Sequence, residues 1–168
     1  MTSLYFKKIN LSNIELIKTT NNCIVLKHLN KNLIFNTPEL FIQFGIEKEY
    51  NNFILKLRIS KKNLDFCKFI ENLEEKINQT LNIKITSSLR KDSKYDPLLI
   101  CKLPFKNDKF LCDFIDISGN HINPYSIEKK MSCKCSLIID KIWKFNNKYY
   151  YKLRVKKMFD LRLQNNNK

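Results

Sequence analysis

Alanine is absent from this chain, and glycine occurs only twice, at Gly45 and Gly119. So little glycine leaves no Gly-rich loop to cradle a phosphate, either as a Walker pattern or as a dinucleotide fingerprint. The two histidines, His28 and His121, stand far apart, and no H-x-E or H-E-x-x-H pattern occurs. Of the six cysteines only Cys133 and Cys135 are close, and C-x-C is not the spacing of zinc or dithiol sites. No metal and no cofactor are expected. Asp113, Asp116 and Glu128 with Lys130 are the carboxylates a nuclease would need, but their spacing does not resemble a metal-binding set. No catalytic residue is assigned, and the chain reads as a non-enzyme. No run approaches the ~20 apolar residues of a membrane helix. The start, MTSLYFKKIN, lacks the apolar stretch of a signal peptide. The expectation is a cytoplasmic protein with reduced thiols and no membrane partner.

What is present is cationic and aromatic. Lys and Arg number 31 against 16 Asp and Glu, a formal net charge of +15. Such an excess predicts an anionic partner, most often nucleic acid. Lys, Asn and Ile dominate, and their codons are A/T-rich, so part of the lysine excess reflects the genome rather than the site. Hydrophobic residues make up 43%, enough for a packed core without disulfides in a chain of 168 residues. We expect one domain over residues 1–163 and a frayed polar tail over 164–168.

The segment Lys141–Lys157, KIWKFNNKYYYKLRVKK, interleaves cations with Trp143, Phe145, Tyr149, Tyr150 and Tyr151 and contains no acid. Cations neutralise phosphates and flat rings stack on unpaired bases, the pairing that single-strand binding needs. Alternation along a strand splits the segment. Tyr149, Tyr151, Leu153 and Val155 fall on one face, assigned to the core. Tyr150, Lys152, Arg154 and Lys156 fall on the other, assigned to the ligand. Lys141 and Lys144 add charge. Trp143 has two open assignments, a core position or a stacking platform. Lys56 and Arg58 share a strand face and would extend the basic surface. Lys102 and Phe105 are weaker candidates, the latter as a ring exposed in a loop after Pro104.

The periodicity predicts a β-rich chain. Strands are expected at Leu4–Ile9, Ile14–Lys18, Cys23–His28 and Leu33–Asn36, with a turn at Asn21-Asn22. Phe53–Ser60 alternates cleanly, Phe53, Leu55, Leu57 and Ile59 against Ile54, Lys56, Arg58 and Ser60. Further strands are expected at Leu98–Leu103 and Phe110–Ile117. A last hairpin pairs Cys133–Phe145 with Tyr149–Met158 around Asn146-Asn147-Lys148. One helix, Asn63–Leu81, carries Phe66, Phe69, Ile70, Leu73, Ile77 and Leu81 at helical spacing, with Asn63 as its N-cap. Its acidic face, Glu71, Glu74 and Glu75, is expected to point away from any nucleic acid. Residues 84–97 read as an exposed loop carrying Arg90, Lys91 and Lys94. The fold class is mainly β, an OB-like barrel with added N-terminal strands and one amphipathic helix.

The order of motifs carries a resemblance. Pro38-Glu39-Leu40, Phe44-Gly45-Ile46, the alternating strand, the helix, Lys94-Tyr95-Asp96-Pro97, Cys101-Lys102-Leu103-Pro104, Ile142-Trp143 and Tyr151-Lys152-Leu153 follow one another over residues 37–158. This resembles the OB-fold single-stranded-DNA-binding proteins of large cytoplasmic DNA viruses, and of cytoplasmic linear plasmids of yeasts. The resemblance implies a five-stranded barrel with additions, sequence-independent binding of single-stranded DNA during replication, and contacts at Trp143, Tyr151, Lys152 and Lys102. It sets Tyr151, rather than Tyr150, on the ligand side, so the register of the two stays open. Replication proteins and further copies of the chain are partners that such a role implies. Two rivals stand beside it. One is an RNA-binding or transcription-associated module, and the other is a scaffold whose charge reflects codon bias.

Overall fold

The computed structural model describes residues 3–20 and 23–163. The turn expected at Asn21-Asn22 and the tail at 164–168 lie outside the described residues. Seven strands precede the helix: β1 (Leu4–Tyr5), β2 (Ile14–Thr20), β3 (Cys23–His28), β4 (Lys31–Asn32), β5 (Ile34–Asn36), β6 (Leu40–Glu49) and β7 (Asn52–Arg58). The helix α1 spans Leu64–Leu81. Six short or medium strands follow: β8 (Ile85–Thr86), β9 (Leu89–Arg90), β10 (Leu98–Leu103), β11 (Phe105–Lys106), β12 (Lys109–Phe110) and β13 (Asp113–Asp116). The two longest, β14 (Met131–Phe145) and β15 (Lys148–Leu163), come last among the described residues.

Five of these strands form a closed barrel in the order β14–β6–β7–β10–β15, with β15 returning to β14. Neighbours are antiparallel except β10 and β15, which run parallel with Lys102 beside Arg154. This is an OB-like barrel, mainly β and with one helix among the described residues, as the strand spacing predicts. The N-terminal strands are additions: β5 and β3 pair with β14 outside the stretch that pairs with β6. One strand serves all three because its ladder with β15 slips at Ser132/Lys134, Ser136/Leu137 and Ile139/Ile142. Each slip bends and twists the strand.

Several boundaries differ from the periodicity. Only Leu4–Tyr5 of Leu4–Ile9 is a strand; Phe6–Lys8 form a 3-10 turn that buries Phe6. The stretch Phe110–Ile117 divides, Phe110 pairing with Phe105 and Asp113–Asp116 joining β15. Residues 84–97 are not wholly loop, because β8 pairs with β15 and β9 with β10. Asn63 sits at the start of α1, but its amide donates to the Glu39 carbonyl at 2.9 Å instead of capping. Asp65 takes the Phe66 N–H at 2.9 Å in its place.

The helix packs its apolar side into the barrel core. Phe66, Ile70, Leu73 and Ile77 are fully or almost fully buried. Phe66 meets Phe6 edge-on at 5.0 Å, and Phe69 meets Phe35 at 5.2 Å. Cys133 and Cys135 both point inward with their sulfurs 3.8 Å apart, as the i, i+2 spacing on a strand requires. The Cys135 thiol is pushed well above its ordinary pKa, through a hydrogen bond with Cys133 and then desolvation.

Gly45 marks the slip between Ile42 and Ile46 in the β6–β7 ladder. Its φ is +90°, and an added Cβ would stand 3.1 Å from the Ile127 carbonyl oxygen. Only glycine takes that backbone at low cost. Gly45→Ala is expected to destabilise by about 1–3 kcal/mol, the cost of a non-glycine residue forced into such a conformation. Urea unfolding checks this through a lower midpoint at unchanged slope.

Candidate nucleic-acid interface

Barrel closure turns alternate residues of each strand outward. On β15 the outward set is Tyr150, Lys152, Arg154 and Lys156, while Tyr151, Leu153 and Val155 are buried. Of the two rings, Tyr150 is the one on the outer face. Tyr151 does not lie on the outer face: it is 4% exposed and its hydroxyl donates to the Glu74 carboxylate on α1. Burial first, and then the Glu74 charge, raise its pKa well above the phenolic range. The site assignment of Tyr151 is corrected to a link between barrel and helix.

Trp143 lies opposite Tyr150 in the hairpin ladder, so it too faces outward. It is half-buried at that position. The two rings stack with centroids 5.9 Å apart and planes 25° from parallel. The Lys152 ammonium sits 5.8 Å over the indole. Lys102, Lys141 and Arg154 join Trp143 and Lys152 around a cleft of about 230 Å³. Lys102 arrives from β10 because it pairs directly with Arg154. Lys141 arrives where the β14 ladder slips between Ile139 and Ile142. Lys156 is exposed two residues further along β15.

Four candidates lie elsewhere or are engaged. Lys144 is exposed but pairs with Tyr149 on the opposite face of the hairpin, its ammonium 5.7 Å over that ring. Phe105 is not an exposed loop ring: it packs at 4.6 Å on Phe53 and 5.0 Å on Phe110, in the small β11–β12 sheet. Lys56 faces outward but lies 3.2 Å from both Glu47 and Glu49. Burial pulls the Lys56 pKa down, and the hydrogen bonds from these carboxylates outweigh it and hold the pKa above its ordinary value. Arg58 pairs with Asp96 at 3.3 Å and lies 5.1 Å over the Phe41 ring. Both cations are therefore partly neutralised already.

Two further rings lie on this outer surface. Phe44 is 57% exposed beside Lys56, at 5.8 Å, and Phe145 is 61% exposed near the hairpin tip. Phe44 precedes the Gly45 slip, which breaks the alternation that would have flagged it. Phe145 shares the parity of Trp143, and that signal was available in the sequence.

The arrangement suits a flexible polyanion with unpaired bases. An aromatic pair offers a flat platform, and cations surround it on three strands. Among the described residues no three His, Cys, Asp or Glu side chains converge as a metal group would require. No described helix is long and apolar enough to cross a membrane.

No protein-family model matches the sequence, and no curated protein is similar to it. Solved structures are similar in fold. The single-stranded DNA-binding protein from bacteriophage Enc34, in a C-terminally truncated form, aligns with TM-score 0.58 and 8% identity over 92% of this chain and 95% of that one. The same phage protein in complex with single-stranded DNA aligns with TM-score 0.58 and 8% identity, over 90% and 96%. A further structure of it gives TM-score 0.56 and 9% identity, over 92% and 93%. At this identity the likeness is one of fold.

Proposed function

We propose that this chain is a non-enzymatic protein that binds single-stranded DNA without strong sequence preference, covering strands exposed during replication. The observation that carries this reading is the outward Trp143–Tyr150 stack with Lys152 over the indole, set beside a cleft of cations on a closed OB-like barrel. Stacking accepts any base because every base has a π-face. Cations around it hold the backbone through salt-sensitive contacts. OB folds bind oligonucleotides on the face of their second and third strands and on the loops joining strands one to two and four to five. Here those are β7, β10, the β6–β7 turn and the β14–β15 turn. The likeness to a phage protein solved with single-stranded DNA supports the same ligand. A viral or linear-plasmid replication system in the cytoplasm is the setting this reading gives the chain, with replication proteins as its neighbours.

The test is equilibrium binding to an oligo-dT, to a matched RNA and to a duplex of equal length, each at two salt concentrations. The expected result is tightest binding to the DNA single strand, weakening as salt rises. Tighter binding to duplex, or to RNA, would replace this reading with a duplex-binding or RNA-binding one.

A further inference from the structure

A second, larger cleft of about 970 Å³ lies between the β6–β7 edge, the segment after α1 and the turn before β14. Seven cationic and two acidic side chains line it. Arg58 is paired to Asp96, and Lys91 to Glu71 on α1. Lys61, Arg90, Lys94, Lys129 and Lys130 have no acid bonded to them among the described residues. Tyr95 stands in the lining 74% exposed, together with Phe41. Most lining side chains are solvent-exposed, so the feature is a surface trough rather than an enclosed small-molecule pocket.

Its position ties it to the stacking pair. Phe41, Arg58, Leu98 and Arg90 are successive partners across β6, β7, β10 and β9. Thr86, Tyr150 and Trp143 are successive partners across β8, β15 and β14. Because β10 and β15 run parallel with Lys102 beside Arg154, four residues back on each brings Leu98 level with Tyr150. The short strands β9 and β8 occupy the space between them. By that register the two rows stand level on either side of the Ser87-Ser88 link between β8 and β9, and ladder steps of ~4.8 Å make each row about 10–15 Å long. A single strand crossing the sheet from Trp143 would run into the trough.

We infer that the trough is a second contact for the same DNA strand, binding a separate stretch of backbone with Tyr95 as an additional stacking ring. This rests on the proposed reading of the Trp143 site. It adds that strand length governs affinity, because a short oligonucleotide occupies the stacking pair alone and a long one fills both.

The test compares dT oligonucleotides of about 5 and about 16 nucleotides, spanning the range one OB fold occludes. The variant combines Lys94→Gln, Lys129→Gln and Lys130→Gln, all exposed positions. Its melting temperature and its affinity for the short strand should match the wild type. Its affinity for the long strand should fall tenfold or more, and its salt slope there should shrink by about 2, at ~0.7 for each phosphate no longer neutralised. Unchanged binding of the long strand would overturn the inference and leave the Trp143 reading standing. Equal losses on both strands would also overturn it, since the trough would not be a separate contact. Failure of the wild type to bind either strand would remove the reading beneath it.

Discussion

Trp143→Ala is expected to lower affinity for oligo-dT roughly five- to 150-fold, the ~1–3 kcal/mol that one stacked base contributes. The loss should persist at all salt concentrations, because stacking releases no counterions. Trp143 faces outward and stacks on Tyr150, so its removal leaves the barrel core untouched. The melting temperature should move little. Trp143→Phe keeps a ring and should restore part of the affinity. Lys152→Gln has the complementary signature: the salt slope flattens by about 0.7 while affinity at high salt changes less. Isothermal titration of the three variants across a salt series separates these effects. An unaltered affinity for Trp143→Ala would remove the stacking platform from the account.

Phe66→Ala is expected to destabilise the fold by about 3–5 kcal/mol, the usual cost of emptying a buried aromatic site. For a chain of this size that lowers the melting temperature by roughly 6–20 °C, at 2–4 °C per kcal/mol. Phe66 is fully buried where α1 meets the barrel, against Phe6, Phe35 and Phe69. Three rings around it, drawn from the N-terminal turn, from β5 and from the helix, cannot all collapse into the space it leaves. Scanning calorimetry reads the shift. Below the new midpoint the binding surface should keep its affinity, because the Trp143 cleft is built from outward residues of β10, β14 and β15. A melting temperature within a degree or two of the wild type would show that the helix is not part of the core.

The fold was legible wherever one face of an element is buried. The alternation from Phe53 to Ile59 gives β7, and the spacing from Phe66 to Ile77 gives α1, because each element meets the core on one side. β6 carries no such signal: the slip at Gly45 changes the face on which its residues fall. The same physics set the limits at the site. Tyr150, Lys152 and Arg154 were separable from Tyr151 because β15 alternates without a break over that stretch. The same alternation puts Tyr151 in the core, where it reaches Glu74, whereas the family resemblance alone points it at the ligand. The pairing of Lys56 with Glu47 and Glu49 depends on the β6–β7 register, which no composition reveals. The trough assembles Lys61, Arg90, Lys94 and Lys130 from segments remote in sequence, so only the fold brings them together.

The central claim is that unpaired bases stack on the Trp143–Tyr150 platform. Trp143 is the one tryptophan in the chain, so its fluorescence reports that contact without labelling. Titration with oligo-dT should quench it saturably, at an affinity that weakens with salt, while a duplex of equal length leaves it largely unchanged. Binding of oligo-dT with no change in Trp143 emission would contradict the platform, and a stronger response to duplex would contradict the choice of ligand.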